Sequence, residues 1–319
     1  LRLATLDNGT PDGALAVVSG DGERVLEIGA PAPTLIALME DWDGGLAAVQ
    51  SALVRLEAGE GAAPDKFCAP MPRSWQWLDG SAFDTHGKLM QIAFGLDPIE
   101  TDRPLMYQGM SDRFYGPTDD ISFISEEDGI DFEGEFGVIV DAVPMGTSAT
   151  DALRHIRLIV QINDWSLRAI APIEMKTGFG WVQAKPACSA APFAVTPDEL
   201  GEDWRDGRVC LDLNIRWNGE QFGKANGREM AFGFHELVAH AARTRDLVAG
   251  TIIGSGTVSN AAYAEVGSSC ISERRAIEMI ERENASTMFM SFGDEIEMRA
   301  LSATRDEPFG RIRQRVVAR

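Results

Sequence analysis

A chain of 319 residues is long enough for one large domain or two smaller ones with an ample core. Its 29 lysines and arginines stand against 49 aspartates and glutamates, a formal charge of −20, which disfavours nucleic acid and anionic membrane as partners because both demand basic patches. Cys68, Cys188, Cys210 and Cys270 form no C-x-x-C pair, the opening Leu-Arg-Leu-Ala-Thr is no basic-then-apolar leader, and no apolar run is long enough to span a bilayer, so free thiols in a cytoplasmic protein are expected.

Residues 1–32 alternate short apolar runs with the turns Asn8-Gly9, Asp12-Gly13 and Asp21-Gly22, the pattern of a small β-meander. Helices are expected around 34–39 and 46–57, the second carrying Leu46, Val49, Leu53 and Leu56 at helical spacing. Gly59 to Pro64 reads as a linker, which places an accessory domain over 1–68 and a main domain over 69–319. Past Trp75, Trp77 and Asp79, the polar stretch that holds His86 and runs to Pro104 reads as a loop, with the composition of a lid.

Residues 130–140, Ile-Asp-Phe-Glu-Gly-Glu-Phe-Gly-Val-Ile-Val, read as a core strand. Alternation puts Asp131, Glu133 and Glu135 on one face and Phe132, Phe136, Val138 and Val140 on the other. Such carboxylates need water or a counter-charge, and on a core strand a hard divalent cation is the economical choice. The capping pattern Ser148–Asp151 starts an expected helix with Ala152, Leu153, Ile156, Ile159 and Val160 on one face, His155 beside it in a structural role. Asp164 precedes Arg168 by four residues, a pair that an ordinary strand-end ion pair also explains, and Lys185 lies among small and apolar neighbours that suit a partly buried, paired ammonium.

Residues 209–217 alternate as a strand ahead of the hairpin turn Asn218-Gly219, and His235 and His240 fall on an amphipathic helix. Residues 250–258 read as a strand entering a small-residue turn that lacks the third glycine of a dinucleotide fingerprint, and no G-x-S-x-G elbow occurs. Strands near 286–292 and 295–301 and an Arg-rich, disordered tail complete the expected order.

Asp131-Phe132-Glu133-Gly134-Glu135, Asn163-Asp164-Trp165-Ser166, Lys185 and Gly254-Ser255-Gly256-Thr257, in that order, resemble the fumarylacetoacetate hydrolase family over roughly residues 70–302. The resemblance implies an α+β, β-rich fold: a mixed β-sandwich roll with a small N-terminal α/β accessory domain, normally a homodimer. It implies that Glu133, Glu135, Asp164 and, by its spacing of seven from His86, Asp79 hold a Mg²⁺ (or Ca²⁺/Mn²⁺) ion. It makes His86 the general base, Arg168 and Lys185 the substrate-polarising cations, and Ser81 and Thr257 substrate contacts.

Three positions depart from the pattern: Leu89 replaces the glutamate three residues after the histidine in short members, Ala171 a frequent glutamine, and Ala169 a usual aspartate. The first leaves His86 without an evident orienting partner. The expected activity is metal-dependent hydrolysis of a carbon–carbon bond in a 1,3-diketo acid or acylpyruvate, as in aromatic catabolism. A decarboxylase, hydratase or isomerase on the same residues is the nearer rival, and a non-enzymatic metal-binding scaffold the distant one.

Overall fold

The computed structural model describes residues 1–95, 97, 101–304 and 306–319. Two sheets organise the chain. The larger has ten strands and runs Val25–Glu27, Ala14–Val18, Arg2–Leu6, Phe193–Val195, Ile156–Asn163, Gly134–Val140, Thr251–Gly254, Trp77–Gly80 and Met106–Gly109, with Ser189–Ala190 also on Ile156–Asn163. The smaller orders Glu220–Asn226, Asp212–Trp217, Glu295–Leu301, Arg311–Ala318 and Ile121–Phe123. One parallel pair in each, Thr251–Gly254 on Trp77–Gly80 and Arg311–Ala318 on Ile121–Phe123, makes both sheets mixed.

The main core joins Phe136, Val138 and Val140 of the large sheet to Leu213, Ile215, Met298 and Ile312 of the small one. Burial on this scale is the chief stabilising term. Within it the buried Gln161 side chain donates to the Met298 carbonyl at 3.1 Å and accepts from the Ala300 amide at 2.8 Å, so polar as well as apolar contacts hold the two sheets in register. The N-terminal meander forms as expected, and its first strand pairs with Phe193–Val195, which makes it part of the large sheet. Helices Leu35–Glu40 and Trp42–Glu57 cover it, packing Leu38, Val49 and Leu56 on Leu3, Leu15 and Val17.

Four neighbouring strands of the large sheet set the site. Gly254 lies opposite Asp79 on one side and Gly137 on the other, and Glu135 lies opposite Ile162. The ends of these strands therefore bring Asp79, Glu135, Asp164 and the turn after Gly254 to one place.

The structure differs from the sequence expectations in five places. The acidic stretch is two strands, Ile130–Asp131 and Gly134–Val140, because Phe132 and Glu133 leave the ladder and Glu133 bridges to Cys270. The expected helix from Ser148 stops after Ala149–Ala152 and one further turn, and Ile156–Asn163 is a central strand. Its branched residues suit a fully buried strand better than a helix. His86 is on a helix, Asp84–Phe94, rather than in a loop; Leu96 and Pro98–Glu100 of the expected lid lie outside the described residues. Residues 286–292 carry only a bridge from Met290 to Ile130, and the tail is not disordered: Arg311–Ala318 is a strand that buries Ile312, Gln314 and Val316 on one face.

Candidate active site and metal centre

Asp79, Glu135 and Asp164 each point one carboxylate oxygen into a common space, all within 4.8 Å of one another. All three are buried. Both Glu135 oxygens lack any hydrogen-bond partner. Asp79 is held by the Gly256 amide, which donates to Oδ1 at 3.1 Å. Only glycine fits this turn: Gly256 has φ +76, and a Cβ there would sit 2.4 Å from the Gly80 carbonyl oxygen, while one on Gly254 would sit 2.3 Å from Asp79 Oδ1. Asp164 accepts from the Tyr107 hydroxyl at 2.6 Å, Lys185 Nζ at 2.5 Å and the Cys188 thiol at 3.0 Å.

Glu133 stands one step away, between the cations. It accepts from Lys185 Nζ at 2.8 Å, from Arg168 at 2.5 Å and from the Ser166 hydroxyl at 3.1 Å. Asp131 is turned out of the group. It accepts from Arg168 Nε at 2.8 Å and from the Ile271 and Ser272 amides at 2.7 and 2.9 Å, tying the guanidinium to the start of helix Ile271–Arg282.

That helix supplies the partner His86 lacked in the sequence. Glu273 lies 2.9 Å from His86 Nδ1, with its other oxygen held by the Ser259 hydroxyl at 3.0 Å. Leu89 packs on Ala276 and Ile277, so the position that carries the glutamate in short relatives now glues the two helices together, and the acid comes from the second helix. Cys270 completes a second close group with His86 and Glu273.

Charge crowding explains the ionisation pattern. Burial, and then the neighbouring Asp164, pushes Asp79 up to about 8, and burial followed by Asp79 pushes Glu135 well above the ordinary carboxylate range. Burial also acts on Glu133, but Lys185 and then Arg168 outweigh it and hold that carboxyl well below the ordinary range. Lys185, although buried, is raised by Asp164 and Glu133.

A cavity of about 330 Å³ opens over these groups, lined among others by Asp79, Ser81, His86, Glu133, Arg168, Lys185 and Thr257. The Thr257 hydroxyl is buried and unpartnered. Seven of the sequence-expected site residues, Asp79, Ser81, His86, Glu133, Arg168, Lys185 and Thr257, line this cavity, and Glu135 and Asp164 lie buried against Asp79. Sequence reasoning missed Glu273, Tyr107 and Cys188. The donor set fits a divalent cation: oxygen-only, carboxylate-rich, with a glutamate whose two oxygens have no other partner.

The family model described as the fumarylacetoacetate (FAA) hydrolase C-terminal domain matches residues 76–317, and that of fumarylacetoacetase N-terminal domain 2 matches residues 1–73. The chain belongs to the fumarylacetoacetate hydrolase family. Oxaloacetate tautomerase FAHD2A of Bos taurus is 25% identical over 256 residues, 76% of each chain. A 2,4-didehydro-3-deoxy-L-rhamnonate hydrolase of Sphingomonas sp. (strain SKA58) is 28% identical over 163 residues, 50% of this chain; the match spans about half, 54%, of that relative. Among solved structures, maleylpyruvate hydrolase from Sphingobium sp. SYK-6, in complex with manganese(II) ion and pyruvate, shares the fold across 100% of this chain and 99% of its own, with a TM-score of 0.68 at 18% identity. The family's members thus include hydrolases and a tautomerase. Among the described residues no helix is long and apolar enough to cross a membrane.

Proposed function

We propose that this family member is a divalent-metal-dependent hydrolase that cleaves a carbon–carbon bond in an acylpyruvate or other 1,3-diketo acid, as in aromatic catabolism. The observation that carries the reading is the carboxylate trio Asp79, Glu135 and Asp164, with both Glu135 oxygens unpartnered, beside a histidine–glutamate dyad whose His86 lines the same cavity as Asp79. Asp79, Glu135 and Asp164 would hold the ion, with Glu133 beside them; Mg²⁺ is the ion proposed, with Ca²⁺ and Mn²⁺ sharing its oxygen preference. When bound, the cation supplies Lewis-acid polarisation of the adjacent oxygens of the oxo acid. The family resemblance supports a homodimer, and the free cysteines support the cytoplasm.

The chain's own residues account for the proton movements. Glu273 accepts from His86 Nδ1–H, which leaves Nε2 with its lone pair to take a proton from water. The water oxygen bonds to the acyl carbonyl carbon, and the charge that forms on the carbonyl oxygen lies within the field of Lys185 and Arg168. The carbon–carbon bond then breaks, its electron pair passes into the pyruvate enolate, and His86 returns the proton to the enolate carbon. The products are a carboxylic acid and pyruvate, which balances water, acyl group and proton.

One observation favours a second reading. The relative matched over 76% of the chain is an oxaloacetate tautomerase, and the same base could move a proton between carbon and oxygen without water attack. Acylpyruvates and oxaloacetate offered with and without EDTA separate the two. Metal-dependent release of pyruvate and a carboxylic acid is expected. Enol–keto interconversion with no cleavage of any acylpyruvate would overturn the hydrolase reading in favour of the tautomerase one.

A further inference from the structure

The cavity is divided by polarity. Ser81, Ser166 and Thr257 stand at the end where Asp79 and Glu133 lie: Ser166 donates to Glu133, and the Gly256 turn that precedes Thr257 is packed on Ser81. The cavity's large apolar side chains are Met90, Leu105, Met106, Pro172, Met175 and Trp181, and His86, Arg168, Lys185 and Tyr107 also line it. Trp181 meets the Tyr107 ring edge-on at 6.1 Å, and the Tyr107 hydroxyl is already committed to Asp164. Leu105 and Met175 are each 43% exposed, apolar surface at a cavity mouth that a ligand would cover.

The cationic side chains that line the cavity, among the described residues, are all engaged. Arg168 is bound by Asp131 and Glu133, Lys185 by Glu133 and Asp164, and His86 by Glu273. An anionic group at the far end of a substrate would meet methionine, leucine and tryptophan with no positive partner. Removing a carboxylate from water without a partner is strongly unfavourable. An alkyl or aryl group there gains from burial, and methionine side chains adapt to varied shapes.

We infer that the substrate carries one carboxylate, at its oxo-acid end, and an uncharged apolar tail that seats between Met90, Leu105, Met106, Pro172, Met175 and Trp181. The inference rests on the oxo-acid reading of the metal end and goes beyond it by naming the class of tail.

Binding, rather than turnover, tests the two parts separately. The protein loaded with Mn²⁺ is titrated calorimetrically with pyruvate, 2-oxobutyrate, 2-oxohexanoate and 2-oxoadipate, the last pair differing in a terminal methyl or carboxylate. Affinity is expected to rise about two- to fourfold with each methylene, and 2-oxoadipate to bind at least about tenfold more weakly than 2-oxohexanoate. Met175→Arg, at an exposed helix position, should shift the ratio towards 2-oxoadipate by about three- to fivefold. Pyruvate binding with no dependence on chain length, or 2-oxoadipate binding as well as 2-oxohexanoate, would overturn the tail inference and leave the oxo-acid reading standing. No metal-dependent binding of any oxo acid, pyruvate included, would overturn both.

Discussion

Glu135→Gln is the most direct test of the metal centre. Both Glu135 oxygens are buried and unpartnered, and burial together with Asp79 pushes its carboxyl well above the ordinary carboxylate range. An amide of the same shape should leave the metal-free Tm within about 1 °C, since no hydrogen bond to Glu135 is lost. Metal binding should suffer, because a neutral amide oxygen replaces one of three anionic ligands. We expect a loss of at least about 100-fold in affinity, about 2.7 kcal/mol. The thermal consequence can be worked through. At a metal concentration about 100 times the wild-type Kd, binding stabilises the native state by about 2.7 kcal/mol, and a site 100-fold weaker yields only about 0.4 kcal/mol. At about 2.1 cal/mol/K per residue the 319-residue chain unfolds with an entropy of about 0.7 kcal/mol/K, so the metal should raise Tm by about 4 °C in wild type and by less than about 1 °C in the variant. Differential scanning calorimetry with and without Mn²⁺ measures both. An equal metal-induced rise in the two proteins would show that Glu135 is not a ligand.

His86→Ala should lower kcat by roughly 10²- to 10⁴-fold with metal affinity unchanged, whereas Glu273→Gln, which trades a charge-assisted bond for a neutral one of about 1–2 kcal/mol less, should lower it by about 5- to 30-fold. Wild-type turnover in either would remove the dyad from the chemistry. Because Asp79 is raised from 3.8 to about 8, the metal-free fold retains a proton that the unfolded chain has lost, so its stability contribution is full below about pH 4 and falls away as pH climbs through about 8. Metal must displace that proton: calorimetry at pH 7 in buffers of different ionisation enthalpy should detect proton release, and metal affinity should rise with pH and level off above about 8. Gly256→Ala should destabilise the protein by about 3 kcal/mol or more, since it combines a left-handed backbone with a Cβ contact of 2.4 Å; a urea midpoint equal to wild type would contradict the tight turn.

How much could be read in advance depended on the range of the contacts involved. The carboxylates of residues 131–135, the Asp164–Arg168 segment and Lys185 were legible because each sits in a short stretch with its own pattern. The central strand Ile156–Asn163 was misread because Ala152, Leu153, Ile156, Ile159 and Val160 also satisfy a helical period, and only pairing with Gly134–Val140 decides between the two. Glu273 was invisible for a different reason. It lies 187 residues from His86, on a charged helix where an acid in the first turn looks like ordinary helix chemistry. The packing of Leu89 on Ala276 and Ile277, which aligns the two helices, leaves no local trace. In the tail, four arginines over 311–319 masked the alternation of Ile312, Gln314 and Val316.

The pairing of Arg2–Leu6 with Phe193–Val195 bears on how this protein can be cut. A fragment starting near residue 69 would bare the outer rim of Phe193–Val195, a row of unmatched amides and carbonyls beside a stripped apolar face that includes Ala190, Leu158 and Val160. Such a rim is a template for another chain to dock on. The fragment would therefore be sticky rather than minimal, and the first strand of the chain acts as a built-in guard against self-association.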